Sequence, residues 1–480
     1  MRWIHGARLL AIVPSIVAQL QEPLVKAPNR TPIDLSWYPP KSSAINDLEQ
    51  VMSKTGVYGF IYDCSPTTKS AEYGTYNWCN MPHVRSQEYV TPPEEYKLRY
   101  VEVIHRHHKR TPYAANSFPV ESYNWDCDDA ALYHYGQGEN GQEAAKTYWK
   151  RYTSEVNPFV PKGFLGSCQF PQITSGGLQD SWQHGRDLWD VYGDFIGRKG
   201  NTEFRVTQNV ITSEVAGMVV KGMFRDDSSF PLLVQESSVD SLEPAYSCPQ
   251  ASSVFNDIRS SNVWRSHLMA AGPLLVALDS ISGVSPYDIG FHVSMDHYYD
   301  NLSARQAHGL PLPCRLVNGA NTSDCVTQPM ADATYRLGHW EYSYIYRDDP
   351  RSLDASIASF GVWIAELSQH IQDAITGVGK VKYRHNVAHD GSLARLLSIL
   401  QVETMVWPGM GSEIVFELYE KERDDAESKW FIRVLWMGKV LRSSSPTLGV
   451  MDMIEVKRLL GYLEGLVGYR AALIKEKCGL

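Results

Sequence analysis

The chain has no cysteines paired in CxxC spacing, no long basic run, no internal repeat and no low-complexity block. Each absence removes a class of function. Without short-spaced cysteines there is no thiolate metal knuckle. With 45 Lys and Arg against 54 Asp and Glu, the net charge of −9 excludes a general nucleic-acid surface. Any phosphate that so acidic a protein binds must be held locally. After residue 18 no stretch is apolar enough to span a bilayer.

What remains is an ordinary globular composition, 43% hydrophobic and 21% charged, on 480 residues. That length allows two to four domains. The first 18 residues combine a basic start (Arg2, Arg8), a short apolar run (Leu9 to Ala18) and a small residue at Ala18. This is the pattern of a secretory signal peptide, and a secreted or secretory-pathway protein is expected. Eight cysteines fit an oxidising compartment. Cys314 and Cys325 bracket a turn-rich stretch and are candidates for a local disulfide; other pairings stay open. Asn29, Asn301 and Asn321 open acceptor sequons for glycosylation.

Residues 19–98 read as a Pro-rich lead-in followed by an aromatic, irregular N-terminal wrap. Strand and helix signals then alternate. Strands are expected over 100–105, 203–207, 380–388, 414–418 and 431–436, and helices over 177–197, 213–224, 391–401 and 450–467. Such alternation predicts an α/β domain built on 99–235 and 371–480, with a central, mostly parallel sheet flanked by helices. Residues 236–370 read as a helical insertion that caps the sheet. Its middle, with His292, His297 and His308 near Asp296 and Asp300, reads as loop and substrate rim.

The chemistry concentrates in Arg106-His107-His108-Lys109-Arg110-Thr111-Pro112, directly after the first strand, and in His389-Asp390, directly after another. Ligands of open α/β sheets bind at the carboxyl ends of strands, so both fall on one rim. Guanidinium forks match phosphoryl oxygens with paired hydrogen bonds. Between two of them, the His107 imidazole can attack phosphorus and form a covalent intermediate. Asp390 can protonate the leaving oxygen, with His389 as a further ligand. Along an extended strand, His105 and His107 would face one side and His108 the other, which argues against a metal there. No metal and no cofactor is expected.

These residues resemble the histidine acid phosphatase family, branch two of the histidine phosphatase superfamily. The family motif R-H-G-x-R-x-P is matched at 106–112 except at the glycine, and the distal H-D pair at His389-Asp390. Gly177 to Gly185 resembles the G-L-T-x-x-G-x-x-Q element, and Gly411 to Glu417 the late G-S-E-L-V-F-E stretch. The four run in family order over about 100–440. The resemblance implies an α/β fold with a helical insertion and phosphomonoester hydrolysis through a phosphohistidine. His107 would be the nucleophile and Asp390 the proton donor. Arg106, Arg110 and His389 would bind the phosphate of a small phosphorylated metabolite.

Two positions depart from the family pattern. A third phosphate arginine is expected in R-x-T-D-x-x-R-T-x-x-S, but Arg205 to Ser213 places Ile211 there. The glycine after the nucleophile is His108. Loss of one preorganised donor can cost on the order of 10²–10³ in rate. Either Arg205, Gln208 or His108 replaces the lost cation, or the chain is an altered member with a binding role or different chemistry.

Overall fold

The computed structural model describes residues 33–63, 73–121, 123–133, 136, 145–152, 154, 156–160, 165–226, 229–422 and 429–480. The proposed signal segment and the Asn29 sequon lie outside the described residues.

The eleven-residue strand β1 (Tyr96–Arg106) is the middle of an eight-stranded sheet. Its side chains alternate in exposure at first, and from Tyr100 onward all seven are buried. A strand covered on both faces needs no alternation. The other strands are β2 (Thr202–Val206), β3 (Leu232–Val234), β4 (Tyr383–Ala388), β5 (Glu413–Lys421), β6 (Trp430–Trp436), β7 (Lys439–Val440) and β8 (Ile454–Glu455). Their order is β7-β6-β5-β1-β4-β2-β3, with β8 paired to β6. β1, β4, β2 and β3 run parallel. β5 and β6 extend the sheet antiparallel on the other side of β1.

Register then fixes the rim. Arg106 pairs with Ala388, and Val206 pairs with Val387. The residues that follow the three strands, His107, Thr207 and His389, therefore emerge side by side.

Helices α1 (Ser175–Ile196) and α2 (Val210–Phe224) cover one face, burying Leu188, Tyr192, Val215 and Val219 against Val103, Val206 and Val387. They pack with unusually small separation. A Cβ on Gly185 would meet the Val219 carbonyl, and one on Gly222 the Trp182 carbonyl. Between β3 and β4 the chain forms α3 (Pro249–Arg259), α4 (Asn262–Ser282), α5 (Asp296–Ala307), α6 (Gln328–Ser343) and α7 (Arg351–Thr376). After β4 comes α8 (Asp390–Ile399), and α9 (Val456–Val467) packs near the C-terminus. α7, α8 and α9 join the second, larger apolar core.

The region around Asp296, expected as loop, is the helix α5. Cys314 and Cys325 are disulfide-bonded across a small hairpin, as their spacing suggests. Cys127–Cys168 and Cys248–Cys478 are also bonded. Asn301, though in a sequon, is buried in α5, where its amide donates to the Asn116 carbonyl and accepts from Arg305. It is not presented for glycosylation in the folded chain; Asn321, on the hairpin, is exposed.

Candidate active site

β1 delivers Arg106 and His107 into a cavity of about 400 Å³ at the sheet rim. The backbone there is pinned from both neighbours. The Arg106 amide donates to the Ser412 carbonyl, and the His107 amide to the Ala388 carbonyl. Both residues are about 1% exposed.

The His107 ring is held in one tautomer. Its Nδ1 lies 2.9 Å from the His108 carbonyl oxygen, an acceptor only, so Nδ1 carries the proton. Nε2 keeps the lone pair. Burial pushes the imidazole well below its ordinary pKa, and Arg110, Arg106 and His389 push it further. The ring is therefore neutral at neutral pH. The His389 ring crosses it edge-on at 5.5 Å between centroids. His389 Nε2 is 3.0 Å from Thr207 Oγ1, so β2 orients the ligand that β4 presents.

Two guanidinium groups flank His107. Arg106 donates to the Pro408 carbonyl at 2.7 Å and pairs with Asp390 Oδ2 at 3.1 Å. Trp78 of the N-terminal wrap lies beneath it, 4.8 Å from its guanidinium carbon to the ring centroid. Arg110 is clamped by Asp300 of α5 at 3.1 Å and by the Thr111 carbonyl, over the Tyr113 ring. Asp300 also accepts from the Tyr113 amide and Asn116, so one carboxylate fixes the whole loop to the insertion. Nε of Arg106 and Nε of Arg110 are both buried without a partner among the described residues. Buried unpaired donors are costly, and an anion in the cavity would complete such sites.

Asp390 opens α8. One carboxylate oxygen accepts from the Gly391 amide at 2.8 Å, the other from Trp407 Nε1 at 2.7 Å. Burial alone would raise this carboxyl; Arg106, Trp407, Arg110 and His389 outweigh it and hold it below the usual range.

Five of the seven expected site residues meet here: Arg106, His107, Arg110, His389 and Asp390. Two do not. Arg205 is paired with Asp240 at 2.8 Å and Glu366 at 2.7 Å, outside the cavity lining. His108 turns to the opposite side of the sheet and bonds His184 at 3.0 Å. Ile211 is fully buried in the apolar core with Val215 and Val219. Gln208 accepts from the Ser237 amide on the surface.

Arg395, which the motifs did not point to, lines the cavity instead. It lies in the second turn of α8. Nε donates to Ser359 and Nη1 to the Gly391 carbonyl, and the guanidinium lies over the Phe255 and Tyr346 rings. Its signal in the sequence is its position one turn after Gly391, on the helix that starts at the H-D pair.

Behind the nucleophile lies a buried histidine cluster. β1 ends at Arg106, so strand alternation does not reach His108, and His105 and His108 share a side with His184. Their ligand atoms lie within 4.8 Å of one another. His105 Nδ1 donates to the Arg106 carbonyl, and His184 is backed by Glu413 at 2.9 Å. Burial holds all three imidazoles well below their usual pKa and raises Glu413 to about 7. With the His184 ring uncharged, its contact with Glu413 is a hydrogen bond rather than an ion pair. These three residues could hold a metal ion by donor type; equally, they form a closed polar layer under the 105–108 turn.

Comparison with known proteins gives distant similarity. No family model matches the chain. Counting factor 60 of Dictyostelium discoideum is 22% identical over 346 residues, covering 68% of this chain and 78% of that protein. Among solved structures, the phytase from Citrobacter braakii is 12% identical with a TM-score of 0.49, covering 78% of this chain and 100% of that one. The Bifidobacterium longum multiple inositol polyphosphate phosphatase, in complex with inositol hexasulfate, is 11% identical with a TM-score of 0.44, covering 76% and 92%.

Proposed function

We propose that this chain is a divergent member of the histidine acid phosphatase family, secreted, and that it hydrolyses small phosphomonoesters through a phosphohistidine at His107. The observation that carries the reading is the His107 ring itself. It is neutral, its Nδ1 is tied to a carbonyl, and its Nε2 lone pair opens on a cavity between two arginines.

In this reading the phosphoryl oxygens sit on Arg106, Arg110 and His389, and Arg395 takes the place left by Ile211. His107 Nε2 attacks phosphorus in line. Water then releases phosphate from the phosphohistidine. The charge of the cavity is nearly balanced. Its three arginines face four carboxylates, Glu243, Asp296, Asp300 and Asp390. That balance favours an ester with a single phosphate over a polyphosphorylated one.

A second reading follows from Ile211 and the engaged Arg205: an altered member that binds a phosphorylated metabolite without turning it over. One assay separates the two. Purified protein and His107→Ala are compared on p-nitrophenyl phosphate and on a panel of sugar phosphates. Turnover lost in the variant supports the phosphatase; no turnover above the variant at any pH leaves only the binding role.

A further inference from the structure

The histidine layer behind the phosphate cavity has the parts of a metal site. His105 lies at the end of β1, His108 in the turn after it, and His184 on α1; all three are fully buried. β1 ends at Arg106, so the alternation that would part His105 from His108 stops short of it. One ring nitrogen from each histidine lies within 4.8 Å of the other two. Nitrogens bound at about 2.0–2.1 Å to a tetrahedral zinc sit roughly 3.3 Å apart, so movements of about 1 Å or less bring the three onto one ion.

Two of the rings are oriented from behind. His105 Nδ1 donates to the Arg106 carbonyl at 2.8 Å, so Nε2 keeps the lone pair of the neutral ring. His184 Nε2 faces Glu413 Oε2 at 2.9 Å, which turns Nδ1 toward His108 Nε2, 3.0 Å away. A carbonyl behind one imidazole and a carboxyl behind another is the outer shell that orients histidine ligands and raises their basicity. Glu413 is itself fixed, since its other oxygen accepts from the Val84 amide.

Hydrogen bonding within the layer does not satisfy it. His105 Nε2 and His108 Nδ1 are buried without a partner among the described residues. The single proton shared by His108 and His184 serves their own contact and leaves the His105 lone pair unmet. Unpaired buried polar atoms are costly, and a cation takes up a lone pair that no donor reaches. His83 does not join the set. Its two ring nitrogens are taken by Asp187 and the Met81 carbonyl, and it stacks on His184 at 4.2 Å. Room for the His108 ring comes from Gly411, where a Cβ would lie 2.3 Å from His108 Cε1.

We propose that His105, His108 and His184 hold one zinc ion, with water as the fourth ligand, and that this ion braces the turn carrying His107. Imidazole nitrogens suit zinc among the divalent ions, and the Glu413 carboxyl behind His184 offsets its charge. The ion joins α1 to the end of β1. It also joins both to His108, whose carbonyl accepts from His107 Nδ1. The site stands whether or not the neighbouring cavity hydrolyses phosphate esters.

The test uses the full chain without a polyhistidine tag, produced in medium containing zinc, or cobalt(II) in its place. Gel filtration in a chelator removes ions from the surface; a fully buried ion stays. The expected result is one zinc per chain. The cobalt form should show the visible absorption of a four-coordinate cobalt(II) with nitrogen ligands. Thermal unfolding should come at a lower temperature with chelator than with free zinc, because the chelator captures the ion as the chain opens. His184→Gln and His108→Gly should each lose the ion and the cobalt bands, whereas His292→Gln should keep both. If neither ligand variant folds, the wild-type metal content and cobalt spectrum decide alone. Wild-type protein that carries no metal and unfolds at the same temperature in zinc and in chelator would overturn the site. So would an ion retained in full by a folded His184→Gln.

Discussion

The two ends of the cavity are built on different principles. The phosphate end is made by strand termini: His107, Thr207 and His389 leave β1, β2 and β4 in register and are braced by backbone hydrogen bonds. It is cationic and its groups have little freedom. The other end is aromatic and carries a carboxyl: α5 brings Asp296, α6 Tyr342, the turn after α6 Tyr346, and the loop between α8 and β5 Trp407. Trp407 and Tyr342 stack there at 4.1 Å. The contrast teaches a division of labour. On the proposed reading, the sheet rim would fix where phosphorus sits and the insertion would decide what is attached to it. Asp300 joins the two, since it holds Arg110 from α5.

Substitutions at each end should separate these roles. The largest effect belongs to the nucleophile: His107→Ala should lower kcat by at least about 10⁴-fold on every ester, with the far-ultraviolet spectrum unchanged. Arg110→Ala should cost about 10²–10³ in kcat/KM, because it removes a donor aimed at the phosphoryl oxygens. Asp300→Asn should give a smaller loss, about tenfold, seen mainly as raised KM for all esters, because Arg110 remains but is no longer clamped. Arg395→Ala should also act on KM rather than kcat, by roughly tenfold; unchanged kinetics would remove it from the site. The pH profile adds a test of the rigid end. On the proposed reading the neutral imidazole is the nucleophile, and burial depresses the His107 pKa. The rate with p-nitrophenyl phosphate should therefore hold as the pH falls through 6.5, where an ordinary histidine would already be lost to protonation.

Away from the site, Cys478→Ser should lower stability by about 2–4 kcal/mol in chemical denaturation. That bond ties the start of α3 to the end of the chain, so its loss should fall on the insertion and leave the sheet rim intact.

The same contrast explains what the sequence made legible. β1, β4 and the helices beside them carry apolar periodicity and end in charged, motif-bearing turns, so strand and site were readable together. α5 was not. Nine of its twelve residues are buried, among them Asp300, Asn301 and Arg305. A helix that buries polar side chains on all faces has no amphipathic stripe to read. Arg395 and Trp78 were hidden for another reason. Both act through tertiary packing: Arg395 reaches the cavity from the second turn of a helix, and Trp78 reaches Arg106 from the N-terminal wrap. His108 was placed on the wrong logic, since strand alternation stops at Arg106 and the turn that follows sends the ring to His184.

The central claim is that the His107 Nε2 forms a bond to phosphorus. Rapid acid or alkaline quench of the protein with phosphorus-labelled p-nitrophenyl phosphate measures it directly. The account predicts a phosphoenzyme that survives alkali, is lost in acid, maps to His107 and is absent from His107→Ala. Label that persists in that variant, or turnover of the ester without any trapped phosphohistidine, would contradict it.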